Sequence, residues 1–488
     1  MILGIDLGTS SIKGILADTK GNILDSASCS YDVHYIDNFG SEQNPEDWYR
    51  GFATIIKKLG ERHDLKKIEG ISFSGQMHGL VILDEEDKVI REAILWNDGR
   101  TAEECKYLNE VVKKECLISY TGNMALTGFT APKLLWLKNN EPDNFKKIRK
   151  IMLPKDYLIY KLTNIHGSDV SDLSGTLFFD VKNKIYSKEM LEILSINEDM
   201  LPKIFESYEI VGNITTEAAE ELGFSQELKV VAGGGDQAMA AIGTGTIENN
   251  SLSINLGTSG VVFSSLEEFF FDEEASLHSF CHANGKYHVM GVTLSCAAST
   301  KWYVEDILKT TDYESVLNNI SKREITDILY LPYLNGERSP INNPLALGTI
   351  HNLRGSNGRD DLTKAIIEGI CFSLRDCINV VREKHNIATK ARVIGGGSKS
   401  DDFLQILSDV LNVEITRINT AEGGGLGAVI LTMYALGYVE SIKEACDSLI
   451  KEVDTFVPDS KNVLIYNEKF EKYKELYYKL NNYQTSYM

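Results

Sequence analysis

Four residues occur twice in this chain. Leu-Gly-Thr-Ser stands at 7–10, inside GIDLGTSSIKG, and again at 256–259, inside SINLGTSGVVF. Each copy joins two apolar, β-prone runs. A solenoid repeat has a period of roughly 20–50 residues, and these copies lie about one domain apart. Two similar domains, each opening with the same strand–turn–strand device, account for that spacing most simply.

The surroundings repeat as well. Around the first copy, ILGID, IKGILAD and ILDSASCSY read as three short strands, with KGN as the turn between the last two. A helix is expected over 46–59, capped by Pro45, and then a buried strand, IEGISFSG, over 68–75. Around the second copy come a strand on each side, a third strand, KYHVMGV, at 286–292, and a helix over 295–308. Later, ARVIGGGSKSDDFLQILSDVL reads as strand, glycine turn and amphipathic helix, with Phe403, Ile406, Leu407, Val410 and Leu411 on one face. The terminal NEKFEKYKELYYKLNNY reads as a last amphipathic helix. The expected organisation is a β-β-β-α-β module used once per half, with halves 1–244 and 245–488. Only nine prolines and no low-complexity linker point to halves packed together.

Composition narrows the partners. With 488 residues and 43% hydrophobic content, there is ample chain for a large core. The eight cysteines are scattered without a CxxC pair, which fits a reduced, cytoplasmic protein. The opening MILGIDLGTSS lacks a basic leader region, and no apolar run reaches the roughly 18 residues that would cross a membrane. A net charge of −20 argues against nucleic acid or an anionic membrane as partner. A polyanionic small ligand would have to be held locally, by backbone N–H groups and a metal ion.

Several segments could do that. Asp6 ends a strand, and Gly8, Thr9 and Ser10 form a turn whose N–H groups and hydroxyls suit an anion. Asp6 suits Mg²⁺ held through water. The second copy offers Gly257 and Thr258 but has Asn255 in place of the Asp. Lys13 could reach a phosphate or simply face solvent. In VVAGGGDQAMAAIG, a strand runs into three glycines, and Asp236 opens a helix. That residue is either a helix cap or a proton acceptor for a hydroxyl under phosphorylation. Gln237 beside it offers a donor and an acceptor. SGQMHGL places Met77 and His78 between glycines at a strand end, where ligands bind in open α/β sheets. LWNDGR groups Trp96 and Asp98 in a way that suits a sugar or a surface turn. VIGGGSKS and EGGGLGAVI read as glycine turns, and the first, with Gly395, Gly396 and Gly397 between a strand and a helix, fits a backbone platform for adenine. Neither a GxGxxG dinucleotide fingerprint nor a GxxxxGK[ST] loop occurs.

In their order, GIDLGTS, GQMHG, LWNDGR, GFTAPKLLW, LPKDYL, AGGGD, NLGTSG, HSFCHA, LPYLNGER and IGGGS resemble the FGGY carbohydrate kinases of the sugar kinase/Hsp70/actin superfamily. The resemblance spans essentially the whole chain. One departure is Asn352, which stands where the family usually has Gly. The resemblance implies an α/β fold of two ribonuclease H-like domains with ATP and sugar in the cleft between them. It makes Asp236 the proton acceptor and Asp6 the residue acting through Mg²⁺. It places Met77, His78 and Gln237 at the sugar, and Thr258 with glycines 395–397 at ATP. GQMHG and WNDGR favour D-xylulose over other ketoses or polyols as acceptor. A homodimer is left open. The competing class is an actin- or Hsp70-like ATPase without a sugar acceptor.

Overall fold

The computed structural model describes residues 1–484 apart from 38, 386 and 421–422. Two seven-stranded sheets form its frame. The first contains β1 (Ile2–Leu7), β2 (Ser11–Ala17), β3 (Ile23–Ser30), β4 (Gly70–Gly75), β5 (Ile210–Asn213), β6 (Lys229–Val231) and β7 (Gly234–Gly235). The second contains β8 (Leu252–Leu256), β9 (Gly260–Leu266), β10 (His278–Cys281), β11 (Tyr287–Thr293), β12 (Lys390–Ile394), β13 (Glu414–Ile418) and β14 (Glu452–Phe456).

The two sheets share one plan. The first runs β3-β2-β1-β4-β6-β5, with β7 paired to the end of β4. The second runs β11-β9-β8-β12-β13-β14, with β10 added beyond β11. In each, three strands form an antiparallel meander, two parallel strands follow, and an antiparallel strand closes the edge. The duplicated tetrapeptide joins the equivalent pairs β1–β2 and β8–β9. A strand covered on both faces needs apolar residues throughout. Ile2, Leu3, Ile5 and Leu7 are accordingly all buried.

Helices cover the sheets. α1 (Pro45–Gly60) packs Trp48, Phe52, Ile55 and Ile56 against the first sheet. Its cap is Asn44, whose side chain accepts from Glu46 N–H, and not Pro45 as expected. Pro45 is instead the first helical residue, where a missing N–H costs nothing. α2 (Asp236–Thr244) follows the triple glycine, and α3 (Ala297–Lys301) continues into a π-helical turn at Trp302–Ile307. α4 (Arg359–Lys384), α5 (Asp401–Leu411) and α7 (Ser460–Gln484) enclose the second core, to which Tyr466, Phe470 and Tyr473 contribute.

The segment EGGGLGAVI differs from expectation. Glu422 lies outside the described residues, and the rest is the start of helix α6 (Gly423–Ala435), not a turn. The reason is packing. A side chain on Gly4 would collide with the carbonyl of Gly425, and one on Gly243 with the carbonyl of Gly423. The glycines let α6 lie directly on strand β1 and against α2 at once. A helix from late in the chain thus packs on the first sheet. Asn352 has φ 65°, a left-handed conformation that Asn adopts more readily than most residues. The eight cysteines are all free. Among the described residues, no helix is long and apolar enough to cross a membrane.

Candidate functional site

The register of the first sheet assembles the site. Asp6 on β1 lies opposite Ser74 on the parallel β4, and Gly235 on β7 lies opposite Gly75. Asp6 and Asp236 therefore flank the carboxyl end of β4, the edge at which ligands bind in such sheets. Ser74 Oγ–H donates to Asp6 Oδ1 at 2.7 Å. Lys13 is the cross-strand partner of Asp6, on the same face of the sheet. A Cβ on Gly424 would fall 2.8 Å from Asp6 Oδ1, so the glycine leaves the carboxylate room.

Asp236 is not a helix cap. The cap is Gly235, and Asp236 accepts instead from its neighbour, Gln237 N–H at 2.8 Å and Gln237 Nε2–H at 3.2 Å. Burial pushes its carboxyl up to about 6, and the charge of Asp6 adds to the rise while the Gln237 bonds oppose it. That value suits a proton acceptor at neutral pH.

The first hairpin turn is tightly held. Tyr31 O–H donates to the Gly8 carbonyl at 2.5 Å, and Gln43 Nε2–H to the Thr9 carbonyl at 2.6 Å. Trp96 Nε1–H donates to Thr9 Oγ at 2.9 Å, which ties the LWNDGR segment to this turn. Ser10 at its tip is exposed. Asp98 is buried, bound to Arg100 and to the Ser41 N–H at 2.7 Å. Its carboxylate is occupied in holding the loop. In the second turn, the carbonyls of Gly257 and Thr258 accept N–H groups of residues 296–298 at the start of α3. Gly395, at φ 91°, packs on Asn255 and Leu256, and a side chain there would fall 2.6 Å from Asn255 Oδ1. Gly397 likewise abuts Leu256, while Gly396 faces open space. The triple glycine thus extends the surface of the second turn. A cavity between α2 and the second sheet is bordered by Gln237 and Ala240 on one side and by Ser253 and Asn255 on the other.

Met77 and His78 close the other side. Met77 Sδ would lie 2.7 Å from a Cβ on Gly235, so the thioether rests on the glycine before Asp236. His78 has φ 68° and stacks on Phe129 with centroids 4.9 Å apart. Its Nδ1 lies 2.7 Å from the Gly175 carbonyl, which can only accept, so Nδ1 carries the hydrogen and Nε2 is an acceptor. Burial pushes the ring well below the usual histidine range, so it is neutral.

Sequence reasoning missed the groups that hold His78. Lys133 is fully buried and donates to the carbonyls of His78 at 2.8 Å and Gly128 at 2.7 Å. The available signal was a lysine inside the apolar run APKLLWL.

No cluster of three His, Cys, Asp or Glu suited to a metal occurs among the described residues. A single carboxylate with room around it does suit a cation that arrives with phosphate oxygens and waters as its other ligands.

Comparisons with known proteins cover nearly the whole chain. The N-terminal domain of the FGGY family of carbohydrate kinases matches residues 1–243, and its C-terminal domain matches residues 252–436. The chain is 36% identical to the xylulose kinase of Bacillus subtilis (strain 168) over 481 residues, covering 98% of this chain and 96% of that protein. It is 37% identical to the xylulose kinase of Escherichia coli (strain K12) over 487 residues, covering 98% and 99%. The crystal structure of ligand-bound xylulose kinase from Lactobacillus acidophilus superposes with a TM-score of 0.95 at 26% identity, covering 100% of this chain and 99% of that one. Duplicated sheets, duplicated turns and full-length matches lead to one conclusion: the chain belongs to the FGGY family of carbohydrate kinases.

Proposed function

We propose that this enzyme transfers the γ-phosphoryl group of ATP to D-xylulose, giving D-xylulose 5-phosphate, with Mg²⁺ as the divalent cation. Kinases of this family use ATP and commonly a divalent metal. The relatives named xylulose kinase support the acceptor. The observation that carries the reading is the pairing of Asp6 and Asp236 at one sheet edge, with Met77 and His78 beside them.

In this reading Asp236 takes the proton of the attacking hydroxyl, and Gln237 orients its carboxylate. Asp6 would hold the metal ion, which when bound neutralises charge on the transferred phosphoryl group. The turns with Gly8, Thr9 and Ser10 and with Gly257 and Thr258 cradle phosphates, and Lys13 reaches toward them. Glycines 395–397 form the adenine platform. Met77 and His78 line the sugar, and Trp96 and Asp98 support that side of the site. The halves divide at 244/245, and the protein works in the cytoplasm. A coupled assay of ketoses and polyols with ATP and Mg²⁺ tests the acceptor. Turnover of another ketose well above D-xylulose would reassign it, and ATP hydrolysis indifferent to every sugar would favour an ATPase.

Two further results are expected. His78→Asn, which tolerates the left-handed backbone, should raise KM for D-xylulose about 5- to 150-fold, the worth of one buried hydrogen bond. KM for ATP should stay within about twofold. Equal changes in both constants would assign His78 to folding.

The second concerns pH. Only ionised Asp236 can accept a proton. kcat/KM for the sugar should therefore fall tenfold per pH unit as pH drops below about 6. A profile flat to about pH 5 would remove Asp236 from that role.

A further inference from the structure

Behind the Asp236 loop lies a charged cluster sealed from water. Lys155 Nζ stands 2.7 Å from Asp156 Oδ1, 2.8 Å from Asp169 Oδ1 and 3.5 Å from Asp172 Oδ2, and all four side chains are fully buried. Burial pushes the Asp172 carboxyl up, which brings the cluster closer to neutrality. Taking such groups out of water costs more than their attraction commonly returns, so stability alone is a weak reason for the cluster.

Its hydrogen bonds lead to the reacting loop. Asp169 Oδ2 accepts from Ser171 Oγ–H at 2.5 Å and from Ser207 Oγ–H at 2.6 Å. The one hydroxyl hydrogen of Ser171 is thereby committed, and its oxygen accepts the Gly235 N–H at 3.1 Å. That oxygen also lies 2.6 Å from where a Cβ on Gly234 would stand. Both glycines immediately precede Asp236, and Met77 packs on Gly235 as well.

We propose that Ser171 is a positioning residue for phosphoryl transfer. Anchored by Asp169, it holds the Gly235 amide and so fixes the direction of the Asp236 carboxylate. This rests on Asp236 being the proton acceptor. Small misplacements of a reacting group cost rate more than binding.

Ser207→Ala supplies the control. It removes an equally buried hydrogen bond to the same Asp169 oxygen, while the Ser207 carbonyl still accepts the Gly233 N–H. Ser171→Ala should lower kcat about tenfold with both KM values within about twofold. Ser207→Ala should lower the thermal midpoint comparably and keep kcat within about twofold of wild type. Wild-type kcat in folded Ser171→Ala, or equal losses of kcat in both variants, overturns the proposal. Should Ser171→Ala not fold, Ser171→Cys, with a weaker acceptor in the same place, is measured under the same criteria. Asp236→Asn is assayed alongside. If that variant keeps its turnover, the acceptor assignment fails, and if only Ser171→Ala keeps it, the positioning role fails.

Discussion

Asp236→Asn is expected to lower kcat by at least about 10²-fold, the contribution of a positioned general base. A sugar hydroxyl is a poor nucleophile at neutral pH unless its proton has somewhere to go. Asn matches Asp in size and keeps an oxygen for the Gln237 N–H, which Asp236 Oδ1 binds at 2.8 Å. It cannot take a proton. Affinities for D-xylulose and ATP should stay within about tenfold, a shift of about 1.4 kcal/mol. The same substitution should raise the thermal midpoint at neutral pH. The folded-state pKa of Asp236 lies above its ordinary value of 3.8, at about 6. Its ionised form therefore weakens the fold, with the full penalty above about pH 6 and none below the ordinary value. Asn carries no charge and escapes that penalty. A variant that folds, binds both ligands and turns over at more than about a third of the wild-type rate would send the proton elsewhere. Loss of rate together with a lower midpoint would instead mean that the loop had been disrupted.

Much of this was legible in the sequence because the devices are local. LGTS turns between apolar runs announced both hairpins, and the strand–triple glycine–Asp pattern announced the start of α2. Alternation and helical spacing placed the meander strands and the buried face of α5. What stayed hidden depends on register and on contacts between distant segments. Nothing near Asp236 points to Ser171, because the link is a hydrogen bond across 64 positions. The stretch from Gly423 reads as a turn because three consecutive glycines weaken a helix locally. Close packing against β1 and α2 outweighs that preference. For Trp96 and Asp98, sequence alone does not tell a sugar contact from a scaffold. The structure adds their partners, Thr9 for Trp96 and Arg100 for Asp98, which no local pattern announces.

Asp6→Ala should reduce turnover about 10²-fold at limiting Mg²⁺, because charge that develops on the transferred phosphoryl group loses its fixed counterweight. The half-saturating Mg²⁺ concentration should rise at least about tenfold, and part of the rate should return at high metal. Mn²⁺, which shares carboxylate and water ligands with Mg²⁺, should rescue along the same curve. A second, independent consequence follows from the register of β1, β4 and β7. The charge of Asp6 helps to raise the carboxyl of Asp236. Removing it lowers that pKa from about 6 toward the ordinary 3.8, so the acidic limb of kcat/KM should move to lower pH. The two readouts separate the two roles. A shifted acidic limb with an unchanged metal requirement would leave Asp6 as an electrostatic neighbour of the base and move the metal to another group. An unshifted limb with a raised metal requirement would make Asp6 a metal-holding residue whose charge the metal already cancels in the working enzyme. Unchanged kcat at moderate Mg²⁺ together with an unchanged pH profile would reduce Asp6 to a strand residue that accepts a hydrogen bond from Ser74.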